Sequence, residues 1–224
     1  MIEFKNVSKV YDNGSTALDN VCLTINDGEF VLICGHSGAG KSTLFKLLTH
    51  EVMPDSGTVI VDEFDVTNMK RSKIPKLRRK LGVVFQDFRL LPNKSVAENI
   101  AIERLRAENR KIVNWNEVYR IATEQLQKIG VELDLDKKIS ESSMATRQLT
   151  AICRALAHDA KILIMDEPTT TLTKKEVTLL LKIVRNLQSN GISIIFVSHK
   201  LNEVFSIADV ITVLRNGEKI GDFD

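Results

Sequence analysis

The sequence predicts an α/β fold, with a mostly parallel sheet covered by helices on both faces. Three observations predict it. Residues 35–42 read Gly-His-Ser-Gly-Ala-Gly-Lys-Ser, between the apolar run Phe30–Cys34 and a helical stretch from Thr43. That is the phosphate-loop pattern in the strand-then-helix context it requires. Residues 162–215 alternate strand and helix patterns, as parallel sheets do. A segment from about 88 to 150 turns helical and interrupts that alternation, which predicts a lobe of its own.

Taken in order, Ile2–Val7, Ala17–Ile25 and Phe30–Cys34 read as strands, separated by the turn signals Asp12-Asn13-Gly14 and Asn26-Asp27-Gly28. Gly57–Val61 and Leu81–Phe85 read as further strands. From Ser95 to Gly130 the pattern is helical. Ser95 with Glu98, and Asn114 with Glu117, have the spacing of capping boxes. Ile162–Met165 is a strand, Lys174–Asn190 a helix, Ile192–Val197 a strand, Lys200–Ala208 a helix and Val210–Leu214 a strand. Thr173 and Glu176 frame the start of the long helix, and Asn190-Gly191 its end. These elements predict one domain over 1–224, with a core of about 1–87 and 151–224 and a helical subdomain of about 88–150.

The phosphate loop predicts binding of a nucleoside triphosphate. Gly35, Gly38 and Gly40 allow the backbone to turn back on itself without a Cβ clash. Amides converging at a helix N-terminus favour phosphate. Lys41 would reach the β- and γ-phosphates, and the Ser42 hydroxyl would take a Mg²⁺ position. Ile162–Asp166 is an apolar strand that delivers Asp166 at its end, suited to Mg²⁺ through water, with Glu167 next to it as a general base. An acidic turn after a core strand is the alternative. Ile194–Ser198 leads to His199, which would lie at the same sheet edge. Gln86 is singled out only by following the strand that ends at Phe85.

Together these segments resemble the ATP-binding cassette (ABC) ATPases, over nearly the whole chain. The resemblance implies ATP and Mg²⁺ as ligands. It implies contacts from Tyr11 (stacked on adenine), from Gly35, His36, Ser37, Gly38, Ala39, Gly40, Lys41, Ser42 and Thr43, and from Gln86. Ser42, Gln86 and Asp166 would hold the metal, Glu167 would activate water, and Lys41 and His199 would act on the γ-phosphate. The family adds a small antiparallel β subdomain and a helical subdomain to the core. Its Leu-Ser-Gly-Gly-Gln signature, which contacts the nucleotide of a second subunit, stands here as Ser142-Ser143-Met144-Ala145-Thr146. Only Ser143 survives, and the D-loop position reads Thr170-Thr171-Leu172-Thr173. The segments after Lys137 look most like the first cassette of tandem sugar-importer ATPases. His36–Leu44 and Val84–Pro92 resemble the cell-division ATPase FtsE instead. A mosaic joined between Pro92 and Lys137 is the resulting expectation. The implied partners are a membrane-spanning permease or a division-type membrane protein, with a second cassette or a homodimer, and no nucleic acid. The implied location is the cytoplasmic face of the cell membrane. Energising solute import of the sugar type is the first functional reading; a nucleotide-gated division ATPase without transport is the second.

Composition agrees with a globular protein: 224 residues, 43% hydrophobic, 27% charged, net charge +2. The longest apolar runs are strand length, against the roughly 20 residues of a spanning helix. Met1–Lys5 lacks a signal-peptide core. Cys22, Cys34 and Cys153 read as buried, reduced thiols, and no paired Cys/His spacing suggests a structural metal site. The basic run Lys70, Arg71, Lys73, Lys76, Arg78, Arg79 and Lys80 reads as a solvated face, with anionic lipid as the alternative. Trp115 reads as a core residue.

Overall fold

The computed structural model of the chain describes residues 1–107, 113–198, 205 and 207–223. Its main sheet has the strand order β10-β9-β3-β8-β7-β6. The strands are β3 (Phe30–Cys34), β6 (Leu81–Val84), β7 (Ile162–Asp166), β8 (Ser193–Val197), β9 (Val210–Arg215) and β10 (Glu218–Phe223). All neighbours are parallel except the β9–β10 hairpin. A second sheet is antiparallel, ordered β2-β1-β4-β5 from Thr16–Ile25, Ile2–Val10, Ser56–Val61 and Phe64–Asp65.

Strand periodicity sorts the core. β3 and β8 are buried at every position, and β7 at all but Asp166, as expected of parallel strands covered on both faces. Phe30, Leu32, Leu163, Met165, Ile194 and Phe196 point to one side, and Val31, Ile33, Ile162, Ile164, Ile195 and Val197 to the other. The first set packs with α3 (Val96–Ala107), α4 (Trp115–Ile129), α5 (Met144–Leu156) and α6 (Lys174–Ser189). The second packs with α1 (Lys41–Leu48) and the antiparallel sheet.

Caps fix the helix starts. Ser95 N–H donates to Glu98 Oε2 (2.8 Å) while Glu98 N–H donates to Ser95 Oγ (3.2 Å). Thr173 and Glu176 form the same reciprocal pair at α6. Asn114 differs: its side chain accepts from Asn116 N–H, not from Glu117. Two expectations are corrected. Cys22 is exposed, because alternation along β2 turns it to the outer face, whereas Cys34 and Cys153 are buried and free. Trp115 is 54% exposed at the first position of α4, beyond the stripe of Val118, Ile121, Ala122 and Gln125 that faces the core. The basic run is exposed, as a solvated face is, apart from half-buried Lys80, and it carries the short helix α2 (Ile74–Lys80), which buries only Leu77. The helix expected over Lys200–Ala208 falls mainly outside the described residues. Among the described residues no helix is long and apolar enough to cross a membrane.

Candidate functional site

β3 ends in buried Cys34, and the chain then folds over itself from Gly35 to Gly40 before α1 begins. Two glycines are required by close approach. A Cβ on Gly35 would lie 2.4 Å from the Leu214 carbonyl oxygen, and one on Gly40 would lie 2.5 Å from that of Ala17. Gly40 also caps α1 at a φ of 104°, a left-handed value that favours glycine. Lys41 folds back over the loop, donating to Gly35 O (2.7 Å) and His36 O (3.1 Å). His36 Nδ1 lies 2.8 Å from Ser37 O, and Ala39 N–H donates to His36 O. His36, Ser37, Gly38 and Ser42 are exposed, while Ala39 and Thr43 are buried beneath them. The first turn of α1 holds no acidic residue, so its positive end is not neutralised from within.

Tyr11 stands in the β1–β2 loop over the start of α1. Its hydroxyl is 3.3 Å from Thr43 Oγ1, and the Lys46 ammonium lies 5.8 Å from its ring centre. Two strands along the sheet from β3, β7 delivers Asp166 and then Glu167, which adopts a left-handed φ of 50°. Glu167 N–H donates to Val197 O (2.9 Å), and its carbonyl accepts from the Thr170 hydroxyl (3.0 Å). Burial raises the Asp166 carboxyl above its ordinary value; Glu167 adds to the rise and Lys41 opposes it. Gln86 follows β6 and is exposed.

One cavity of about 660 Å³ joins Tyr11, Lys41, Ser42, Gln86, Asp166 and Glu167. A cleft of about 680 Å³ at the opposite sheet edge, beside Asp27, Lys128 and Ile192, contains no phosphate loop and none of these groups. Ser15, Thr16 and Ala17 also line the first cavity. The sequence reading missed them. Ala17 contributes a carbonyl against Gly40, and a backbone atom leaves no residue-type signal; the Asp12-Asn13-Gly14 turn was the only clue.

The predicted residues do not all meet. Ser143 lies outside the cavity: it is exposed at the N-terminus of α5, and its hydroxyl accepts from Thr146 N–H (3.2 Å). His199 lies outside the described residues.

The donor set fits Mg²⁺. Ser42, Gln86 and Asp166 offer one hydroxyl, one amide and one carboxylate around a phosphate cradle, the oxygen chemistry that Mg²⁺ shares with phosphates and water. No cluster of three His, Cys, Asp or Glu that would make an all-protein metal cage occurs among the described residues.

A model of the ABC transporter family matches residues 18–170. The chain is 37% identical, over 99% of its length, to a putative ribose/galactose/methyl galactoside import ATP-binding protein of Pseudomonas fluorescens, of which it covers 42%. It is 38% identical, again over 99% of its length, to the galactofuranose transporter ATP-binding protein YtfR of Escherichia coli, of which it covers 43%. The chain thus spans less than half the length of these curated relatives. Among solved structures, the ATP-binding cassette MJ0796, a dimer in a post-hydrolysis state with ADP and Pi, superposes with a TM-score of 0.89 at 32% identity, covering 100% of this chain and 98% of that one.

Proposed function

This chain belongs to the ABC transporter family, and from that premise we propose that it is the ATP-binding and ATP-hydrolysing cassette of a membrane importer, with a sugar as the solute. The observation that carries the proposal is the shared cavity of Lys41, Ser42, Gln86, Asp166 and Glu167. Lys41 and the amides of residues 36–43 hold the β- and γ-phosphates, and Tyr11 takes the adenine. Ser42, Gln86 and Asp166 would hold Mg²⁺ or its waters; the bound ion neutralises charge on the phosphate oxygens. Glu167 accepts the proton of the attacking water as the bond from the γ-phosphorus to the leaving oxygen of ADP breaks. His199 is assigned to the γ-phosphate from the sequence. Ser143 serves the nucleotide of a second cassette or a second copy, in keeping with the dimeric cassette structure. The membrane partner is a permease, and the chain sits on the cytoplasmic face. The names of the sugar-import relatives support the solute class.

The test is Glu167→Gln on the purified chain. ATP affinity should stay within about threefold of the parent while hydrolysis falls by about 10² or more, the usual scale of a lost general base. Turnover within about threefold of the parent would remove Glu167 from that role.

A further inference from the structure

We propose that Arg154 is the residue that positions Gln86 in the nucleotide cavity. Arg154 sits near the end of α5, only 9% exposed. Its guanidinium spends two donors on neighbouring carbonyls: Nη2 on Phe88 O and Nη1 on Arg89 O, each at 2.6 Å. Phe88 and Arg89 are consecutive non-glycine residues with left-handed φ values of 58° and 46°. Such conformations are strained for non-glycine residues and persist only where surroundings over-determine them. Charge-assisted donors on both carbonyls supply that determination. Phe88 is itself buried among the helices, and the Arg89 guanidinium stacks 3.5 Å above the Phe85 ring. The turn is therefore closed on both sides of Gln86, leaving only Gln86 and Asp87 between the two anchors. Gln86 itself is exposed and faces the cavity. Among the described residues no side-chain hydrogen bond fixes Gln86, so its placement comes from the backbone that Arg154 holds.

The inference rests on the proposed role of Gln86 at the nucleotide, and the experiment separates the two. Arg154→Lys and Arg154→Gln are made alone, and Arg154→Lys is combined with Gln86→Ala. Amide hydrogen exchange is followed over residues 85–90 with β3 and β7 as internal references, and MgATP turnover is measured as kcat and KM. In the single variants, exchange over 86–89 should accelerate tenfold or more while β3 and β7 stay unchanged. ATP affinity without Mg²⁺ should hold within threefold, kcat should fall more than KM rises, and adding Arg154→Lys to Gln86→Ala should cost less than a further twofold. Unchanged exchange over 86–89, or losses that multiply in the double variant, would overturn the role of Arg154. If exchange accelerates but neither Arg154 variant nor Gln86→Ala changes turnover, the assignment of Gln86 to the nucleotide fails instead. Uniform acceleration of exchange, β3 and β7 included, in both Arg154 variants would mean that Arg154 merely stabilises the fold, and would also overturn the proposal.

Discussion

Asp166 illustrates how one residue sets stability against function. Its carboxyl is raised by burial and by Glu167, with Lys41 opposing. A carboxyl raised in the folded state binds its proton more tightly there than in the unfolded chain. The stability it contributes is present below the unfolded value, near 3.9, and is lost as pH rises through the folded value. At neutral pH the carboxylate therefore works against the nucleotide-free fold. Asp166→Asn should raise the Tm of the nucleotide-free protein at pH 7.5, and the gain should shrink as pH falls toward the raised folded value. The extra Tm that MgATP confers over ATP alone should disappear in the same variant. A lower Tm at pH 7.5 would contradict the electrostatic reading. Gly40 makes the opposite case, because space and φ both forbid a side chain there. Gly40→Ala should destabilise the chain by about 1–3 kcal/mol, the cost of a left-handed non-glycine residue, read from urea denaturation. It should also weaken ATP binding, since the Ala17 carbonyl must move away. The need for glycine at 35, 38 and 40 was legible in the sequence. The reason at Gly40 was not, since it is a backbone oxygen 23 residues earlier.

Elements were legible where a local signal agreed with the tertiary environment. Thr173 and Ser95 start their helices as their capping residues predict, and the apolar runs of β3, β7 and β8 are buried as parallel strands are. Thr173→Ala should cost about 1 kcal/mol in urea denaturation, the usual value of a lost N-cap, with the phosphate-loop region unaffected. An unchanged midpoint would show that the Thr173–Glu176 pair adds nothing. Elements escaped notice where burial was thin. α2 buries Leu77 alone, so no 3.6-residue stripe marks it, and Pro75 in its first turn was its only flag. β10 is an edge strand with Ile220 and Phe223 half exposed, so period-two burial is absent. The Asn216-Gly217 dipeptide that joins it to β9, with φ of 52° and 84°, is a hairpin signal the reading passed over. Trp115 and Cys22 show the reverse error, an apolar residue type placed in the core by composition while its position on the element faces solvent.

At the scale of the whole molecule, the nucleotide cavity and the α5 N-terminus are separate parts of one chain. Lys41, Asp166 and Glu167 share the cavity; Ser143 and Met144 do not, and both are exposed. Under the proposed function, the α5 terminus of a second cassette would complete the site. The relatives align across 98–100% of this chain, the segment between Pro92 and Lys137 included. The degenerate Ser142–Thr146 loop lies within that aligned length. In a homodimer both composite sites would use that loop. Met144 is the first residue of α5, at the position where the resemblance to ABC ATPases implies a close approach of backbone to phosphate. Met144 and Ala145 should hold the γ-phosphate at a distance, leaving Ser143 and the amides of α5 poorly engaged. Under the proposed function, enclosure from a partner would take the place of the arginine finger of other phosphate-loop enzymes, whose contribution is about 10³–10⁵ in rate. The isolated chain should therefore bind ATP well, hydrolyse it slowly and dimerise little. Replacing Met144 and Ala145 with glycine should raise turnover, or raise the dimer fraction with ATP when combined with Glu167→Gln, as read by sedimentation. Glycine at two first-turn positions also weakens α5, by about 1 kcal/mol per residue, so the variant's Tm must be measured alongside. A parent chain that already dimerises with ATP and turns over at about 1 per second or faster has a competent loop, and Met144 is then no obstacle.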